Sequence, residues 1–262
     1  MTLQQLQSEQ AAMREYAEKQ AIKLVFEWLA RDFETIRNTA VREGINAALI
    51  KVSMINVQDT RNIYTELYTK IGKYYYDSER KALDRYKRTT FNFFDVIWKE
   101  YILRALSDTE IVRRITGVTR TTQERFRGLL VQAANANLAP RQISRLFRES
   151  ETYLTRSRAL TIARTEMGHA SSIGKNYAAE NSQLELYKVW NHYAHGNYRD
   201  WHAEMDNKYV PLRENFKLST GASMKYPHDP AGGGKEVINC RCNYSNVTKD
   251  VLIEIGVWKG GL

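Results

Sequence analysis

From Leu3 to Asn181 the apolar residues recur three and four apart, and beyond Asn181 that spacing stops. A chain patterned this way is expected to fold as α+β, mainly α. A long-helix N-terminal body would lead into a small, irregular, β-containing C-terminal module. The shift in composition suggests a helical domain over 1–150, the module over 151–250 and a tail over 251–262. With 262 residues, 43% of them hydrophobic, there is enough apolar surface for a true core. No apolar run reaches membrane-spanning length, and the polar stretch from Met1 to Gln20 lacks a signal-peptide core. Two cysteines make no disulfide framework, which fits a reducing cytoplasm.

Within the body, Ile22, Phe26, Leu29, Phe33, Ile36 and Ala40 form a heptad-like seam, and Gly44 marks a weak point or an end. The seam suits either a partner helix or packing within its own domain. A second helix is expected from an Asp59-Thr60 cap through Ile63, Tyr64, Leu67, Tyr68, Ile71, Tyr74 and Tyr75. Tyr74 to Tyr76, followed by Arg80, Lys81, Arg85, Lys87 and Arg88, interleaves rings and cations as single-strand binders do, although buried tyrosines with a basic helix start explain it more simply. Thr121 and Glu124 have the spacing of a capping box, and Pro140 suits the first turn of the next helix. On that helix Arg141, Arg145 and Arg148 share one face, opposite Ile143, Leu146 and Phe147. They are the candidate interaction residues, for phosphates or for a partner's carboxylates, and a merely solvated face accounts for them equally. The chain carries 39 basic and 30 acidic residues, and residues 1–150 hold 25 of the basic against 18 acidic. Such an excess suits non-specific DNA contact, and it equally suits solubility.

Past Asn181, Leu184 to Trp190 alternates like a strand, and Tyr209-Val210-Pro211-Leu212 reads as a proline-limited edge. Val237 to Tyr244 reads as a closing strand, which would put Cys240 and Cys242 on one face. A disulfide between residues i and i+2 would be strained, so the thiols are expected to pack reduced or to share a metal. A structural zinc, the one cofactor suggested, would be held by Cys240, Cys242, His202 and one of His228 or Asp229. The competing reading makes the cysteines small buried hydrophobes and Asp229 a turn cap. Arg164 and Glu166, two apart on a helix, cannot pair with each other and need other partners.

Several short motifs then line up in order: Ile162-Ala163-Arg164-Thr165-Glu166; Arg199 to His202 with Asp206; Val210-Pro211-Leu212 with Phe216; Pro227-His228-Asp229-Pro230; and Val237-Ile238-Asn239-Cys240-Arg241-Cys242. Over roughly residues 138–247 this resembles the phage head morphogenesis proteins of the Mu F type. The motif residues are Arg164, Thr165, Glu166, Arg199, His202, Asp206, Asp229, Asn239, Cys240, Arg241 and Cys242. The chain departs from the family pattern at Asn197, Asn207 and His228.

The resemblance implies a minor head protein of a tailed bacteriophage or prophage, associated with the portal and acting in head assembly and DNA packaging or ejection. Its partners would be the portal protein and other head proteins, with no membrane and no small-molecule substrate. It would lie in the virion, in the head interior or at the portal vertex, after assembly in the host cytoplasm. No catalysis is expected: Gly232-Gly233-Gly234 lacks the rest of a phosphate loop. A metal-dependent nuclease built from His192, His195, His202 and His228 is the alternative, but His192-Tyr193-Ala194-His195-Gly196 has no paired acid at the spacing such a site needs. The third reading is a general nucleic-acid-binding module. The seam and tyrosines assign the partner contact to the front helices, so residues 1–50 should be dispensable for folding of the module.

Overall fold

The computed structural model describes residues 3–86, 95–193 and 198–259, and all that follows concerns those residues. Lys87, Arg88, His195 and Asn197 lie outside them. The chain is mainly helical with a small antiparallel β part, as its periodicity leads one to expect. The helices are α1 (Leu3–Arg42), α2 (Ile45–Met54), α3 (Val57–Leu67), α4 (Lys73–Asp84), α5 (Asp95–Ala105), α6 (Thr109–Asn135), α7 (Pro140–Glu151) and α8 (Arg158–Glu180). Wider π turns at Tyr68–Gly72 and Thr152–Ser157 join α3 to α4 and α7 to α8. Then come β1 (Tyr187–Asn191), α9 (Asp200–Ala203), β2 (Tyr209–Pro211), β3 (Phe216–Lys217), β4 (Ser223–Met224), α10 (Gly233–Val237), β5 (Asn243–Val247) and α11 (Lys249–Glu254).

Two compact units result, interleaved along the sequence where a single cut near residue 150 is expected. One comprises residues 22–66 and 103–163. Its core gathers Phe33, Ile36, Phe126, Leu130, Ile143 and Phe147, with the Phe33 ring 5.4 Å from that of Phe147. Arg158 is threaded into it, donating to the carbonyl of Val118 and the hydroxyls of Thr121 and Thr122.

Local expectations are corrected here. The buried stripe of α1 passes through Ala21, Val25, Leu29, Phe33, Ile36 and Ala40, so Ile22 and Phe26 are only partly covered. A 3.6-residue turn drifts against a 3.5-residue seam, which rotates the stripe off the strict heptad. Helix α3 is capped by Asn56, whose side chain accepts from the Asp59 amide at 2.9 Å, not by Asp59-Thr60. Thr121 is mid-helix and donates to the Gly117 carbonyl; Asp108 caps α6 by accepting from the Glu110 amide. Gly44, at φ 94°, ends α1, and Pro140 opens α7. Arg141, Arg145 and Arg148 are exposed opposite buried Ile143 and Phe147, with Arg145 paired to Glu149 at 2.8 Å.

The other unit comprises residues 1–21, 67–102 and 164–262. Here the tyrosines pack: Tyr75 and Tyr76 are buried, and Tyr76 stacks on Trp98 with ring centres 5.4 Å apart. The basic residues Arg80, Lys81 and Arg85 end a helix instead of starting one. Strands pair antiparallel in the order β2-β1-β5, with Tyr187 opposite both Pro211 and Val247. β2 is thus the expected edge strand. A two-stranded β3-β4 ribbon stands apart.

The predicted closing strand over Val237 to Tyr244 is not formed. Val237 ends α10, Asn239 takes the left-handed backbone at φ 55°, and pairing starts only at Asn243. An αL residue reverses the chain, so no strand can run through it.

Candidate functional site

Cys240 and Cys242 therefore reach one point from a turn and not from a strand. The Cys242 amide donates to Cys240 Sγ at 3.4 Å, curling the turn so that both sulfurs face His202. His202 Nδ1 lies 3.5 Å from Cys240 Sγ and 3.6 Å from Cys242 Sγ. The three donor atoms fall within 4.8 Å of one another, and all three residues are buried. The core around them is formed by Trp190, Met205, Phe216 and Met224.

The far side of the imidazole is fixed by a residue that the sequence did not single out. His202 Nε2 is 2.9 Å from Glu236 Oε2, and the same carboxylate accepts from Trp201 Nε1 at 2.7 Å and from the Thr220 hydroxyl at 3.0 Å. Burial works to raise Glu236, but these three donors hold it below the usual carboxylate range. A carboxylate on Nε2 keeps the proton there and turns the Nδ1 lone pair toward the sulfurs. A hydrogen bond from the Cys242 thiol is the main reason that the Cys240 thiol sits well below its ordinary value, against burial and with help from His228 and His202. The same bond and burial push Cys242 up.

Thr165, Arg164 and Arg199 of the remaining motif residues brace the approach to this turn. Thr165 Oγ1 accepts the Asn239 amide at 2.9 Å. Arg164 bonds Glu18 at 2.6 Å and reaches Asn239 Oδ1 at 3.5 Å. Glu166 turns the other way and accepts from the Tyr68 hydroxyl at 2.8 Å, so the two charged residues do have separate partners. Arg199 donates to the carbonyls of Lys235 and Ile238 at 2.7 and 2.8 Å, closing the end of α10. Asp206 accepts the His192 amide at 2.8 Å. Arg14 donates to the Arg241 carbonyl.

The two fourth ligands expected from the sequence, His228 and Asp229, lie outside the group of donors within 4.8 Å of one another. Asp229 is a cap: its carboxylate accepts from the amides of Lys225 at 2.7 Å and Ala231 at 3.1 Å. His228 places Nε2 3.0 Å from the Cys242 carbonyl, with its ring pressed on α8, where a Cβ on Gly168 would come within 2.2 Å of it. Of the histidines considered for a nuclease, His192 is near: burial lowers it below the usual imidazole value, Asp206 opposes that shift, and the charges of His202 and Cys240 reach it. Its Nε2 is a buried atom with no hydrogen-bond partner. Glu236 was not legible because its contact to His202 spans 34 residues and carries no local spacing rule.

Among the described residues no helix is long and apolar enough to cross a membrane. No curated protein and no solved structure matches the chain. A family model does: residues 119–245, just under half of the chain, match the one described as Phage Mu protein F like protein. The match opens within α6, earlier than the resemblance expected from residue 138, and closes in β5. Residues 119–245 thus match the model of the Phage Mu protein F like family, as the order of the short motifs leads one to expect.

Proposed function

We propose that the protein is a minor head protein of a tailed bacteriophage or prophage that associates with the portal, lies in the head interior or at the portal vertex, and acts in head assembly and in DNA packaging or ejection, without catalysis. The Phage Mu protein F like match carries this reading. It is supported by what the motif residues do within the chain. Thr165, Arg199, Asp206 and Asp229 are spent on backbone amides and carbonyls, and Cys240, Cys242 and His202 are buried. Groups used that way hold a shape. Partner contact then falls to exposed surfaces such as Arg141, Arg145 and Arg148.

The test is co-expression with the portal protein of the same phage, followed by pull-down and mass spectrometry of purified heads. Co-purification, and a few copies per full particle, are the expected results. A protein that is missing from heads, and whose deletion leaves particles normally filled and infectious, contradicts the assignment.

A further inference from the structure

We propose that His202, Cys240 and Cys242 are three ligands of a structural zinc ion and that His192 turns in as the fourth. The distances suit a metal. Zinc bonds of about 2.3 Å to sulfur and 2.0–2.1 Å to nitrogen, set at a tetrahedral angle, place the two donors about 3.6 Å apart. The Sγ to Nδ1 separations are 3.5 and 3.6 Å, equal to within 0.1 Å for both sulfurs on one nitrogen. A thiol nucleophile needs one sulfur on the imidazole and an open face for substrate; here both sulfurs share it and both are buried.

Charge agrees with that geometry. Two thiolates cancel the two positive charges of the ion, so a neutral centre occupies a site that Trp190, Phe216 and Met224 make apolar. Two sulfurs with imidazole nitrogens form a soft donor set that favours zinc over magnesium or calcium. Glu236 supplies the outer carboxylate that metal-bound histidines use to fix their tautomer. The Cys242 amide gives Cys240 the hydrogen bond that a metal thiolate accepts.

The fourth position falls to His192 by placement. Asp229 spends both carboxylate oxygens on backbone amides and His228 sets its Nε2 on the Cys242 carbonyl, while His192 Nε2 is buried without a partner. Its backbone is pinned to Asp206, four residues beyond His202. His192 lies outside the group of donors already within 4.8 Å, so binding brings it in by rotation of its side chain. The ion would then lock the turn before β5 to α9 and to the end of β1.

The experiment uses the full-length protein, purified reduced. Metal analysis should find about one zinc per chain, and cobalt exchanged into the site should give the intense visible bands of a tetrahedral ion with thiolate charge transfer. Cys240→Ser or His202→Ala should lose the ion. Glu236→Gln should weaken it about 10- to 100-fold. His192→Ala should weaken it at least about tenfold and change the cobalt spectrum. Chelator should lower the melting temperature of the wild type and leave that of Cys240→Ser unchanged. Folded, reduced wild-type protein that takes up less than about half an equivalent of zinc and gives no such cobalt spectrum overturns the site. His192→Ala with wild-type affinity and spectrum overturns the fourth ligand. Because these readouts are made without any phage component, they stand or fall separately from the portal assignment.

Discussion

Gly174 on α8 and the two glycines of α6 look alike in sequence and should respond oppositely to alanine. A Cβ on Gly174 would sit 2.2 Å from the Gly72 carbonyl, where two helical backbones touch, while nothing lies within 4 Å of such an atom on Gly117 or Gly128. Gly174→Ala should therefore cost about 1–3 kcal/mol, and Gly117→Ala or Gly128→Ala should stabilise by about 0.5–1 kcal/mol, read from urea unfolding. Buried Lys175 supplies a second residue-scale test. Its ammonium donates to Gln10, Asn243 and the Tyr244 carbonyl, and burial lowers it to about 8, with Glu79 opposing. Lys188 is lowered to about 8 for the same reason, with Asp229 opposing. Since the unfolded lysines hold their protons to higher pH, stability from these groups is lost as pH falls through 8 and recovers toward the unfolded value of 10.5. Stability should rise from pH 8 to about 10, by at most about 1.4 kcal/mol per unit for each group. Lys175→Met should flatten part of the rise. Above about pH 10 buried Tyr75 and Tyr244, both raised first by burial, reverse the trend because only the unfolded tyrosines ionise.

At the scale of elements, the caps decide where helices begin. Asn56→Ala and Asp108→Ala should each cost about 1 kcal/mol, because each leaves a first-turn amide without its acceptor. The arginine face of α7 should behave otherwise. Charge reversal at Arg141, Arg145 and Arg148 together should leave unfolding free energy within about 0.5 kcal/mol per site, since the face is solvated, and any loss of head assembly would then report on binding. That α1 is a helix, and most of its buried stripe from Leu29 to Ala40, was legible because a helix writes its buried face into residues three and four apart; the register at Ile22 and Phe26 was not, and Pro140 and Gly44 marked helix ends by their backbone chemistry. The caps were misassigned for a related reason. Thr121 and Glu124 have the right spacing, but a capping box inside a longer helix is only a coincidence of side chains, and no local rule says that α6 already began at Thr109.

At the scale of the molecule, the N-terminal helix cannot be set aside as a partner arm. Gln10, Arg14 and Glu18 bond Lys175, the Arg241 carbonyl and Arg164 within one compact unit. These contacts argue against the expectation that residues 1–50 are dispensable for folding of the C-terminal module. Deleting residues 1–21 should cost more than about 3 kcal/mol, because it strips partners from a buried lysine and an arginine, and hydrogen exchange over residues 164–259 should rise accordingly. If that region stays protected after truncation, the contacts of α1 are incidental. DNA contact by the basic half is tested separately, by the fall of affinity with salt on arbitrary sequence.

What the sequence determined by itself was whatever is written in short spacing: a mainly helical chain, a β-containing end with Tyr209–Pro211 at its edge, and the ordered motifs that match Phage Mu protein F like protein. It also brought together Cys240, Cys242 and His202, though for the wrong reason, since a strand and an αL turn can both aim two cysteines the same way. Only the tertiary structure decided that Glu236 orients His202, that Asp229 is a cap and that α1 closes on the module. Those contacts join residues 34 to 146 positions apart, or satisfy a backbone group whose direction depends on the turn around it. Side-chain periodicity carries neither kind of information.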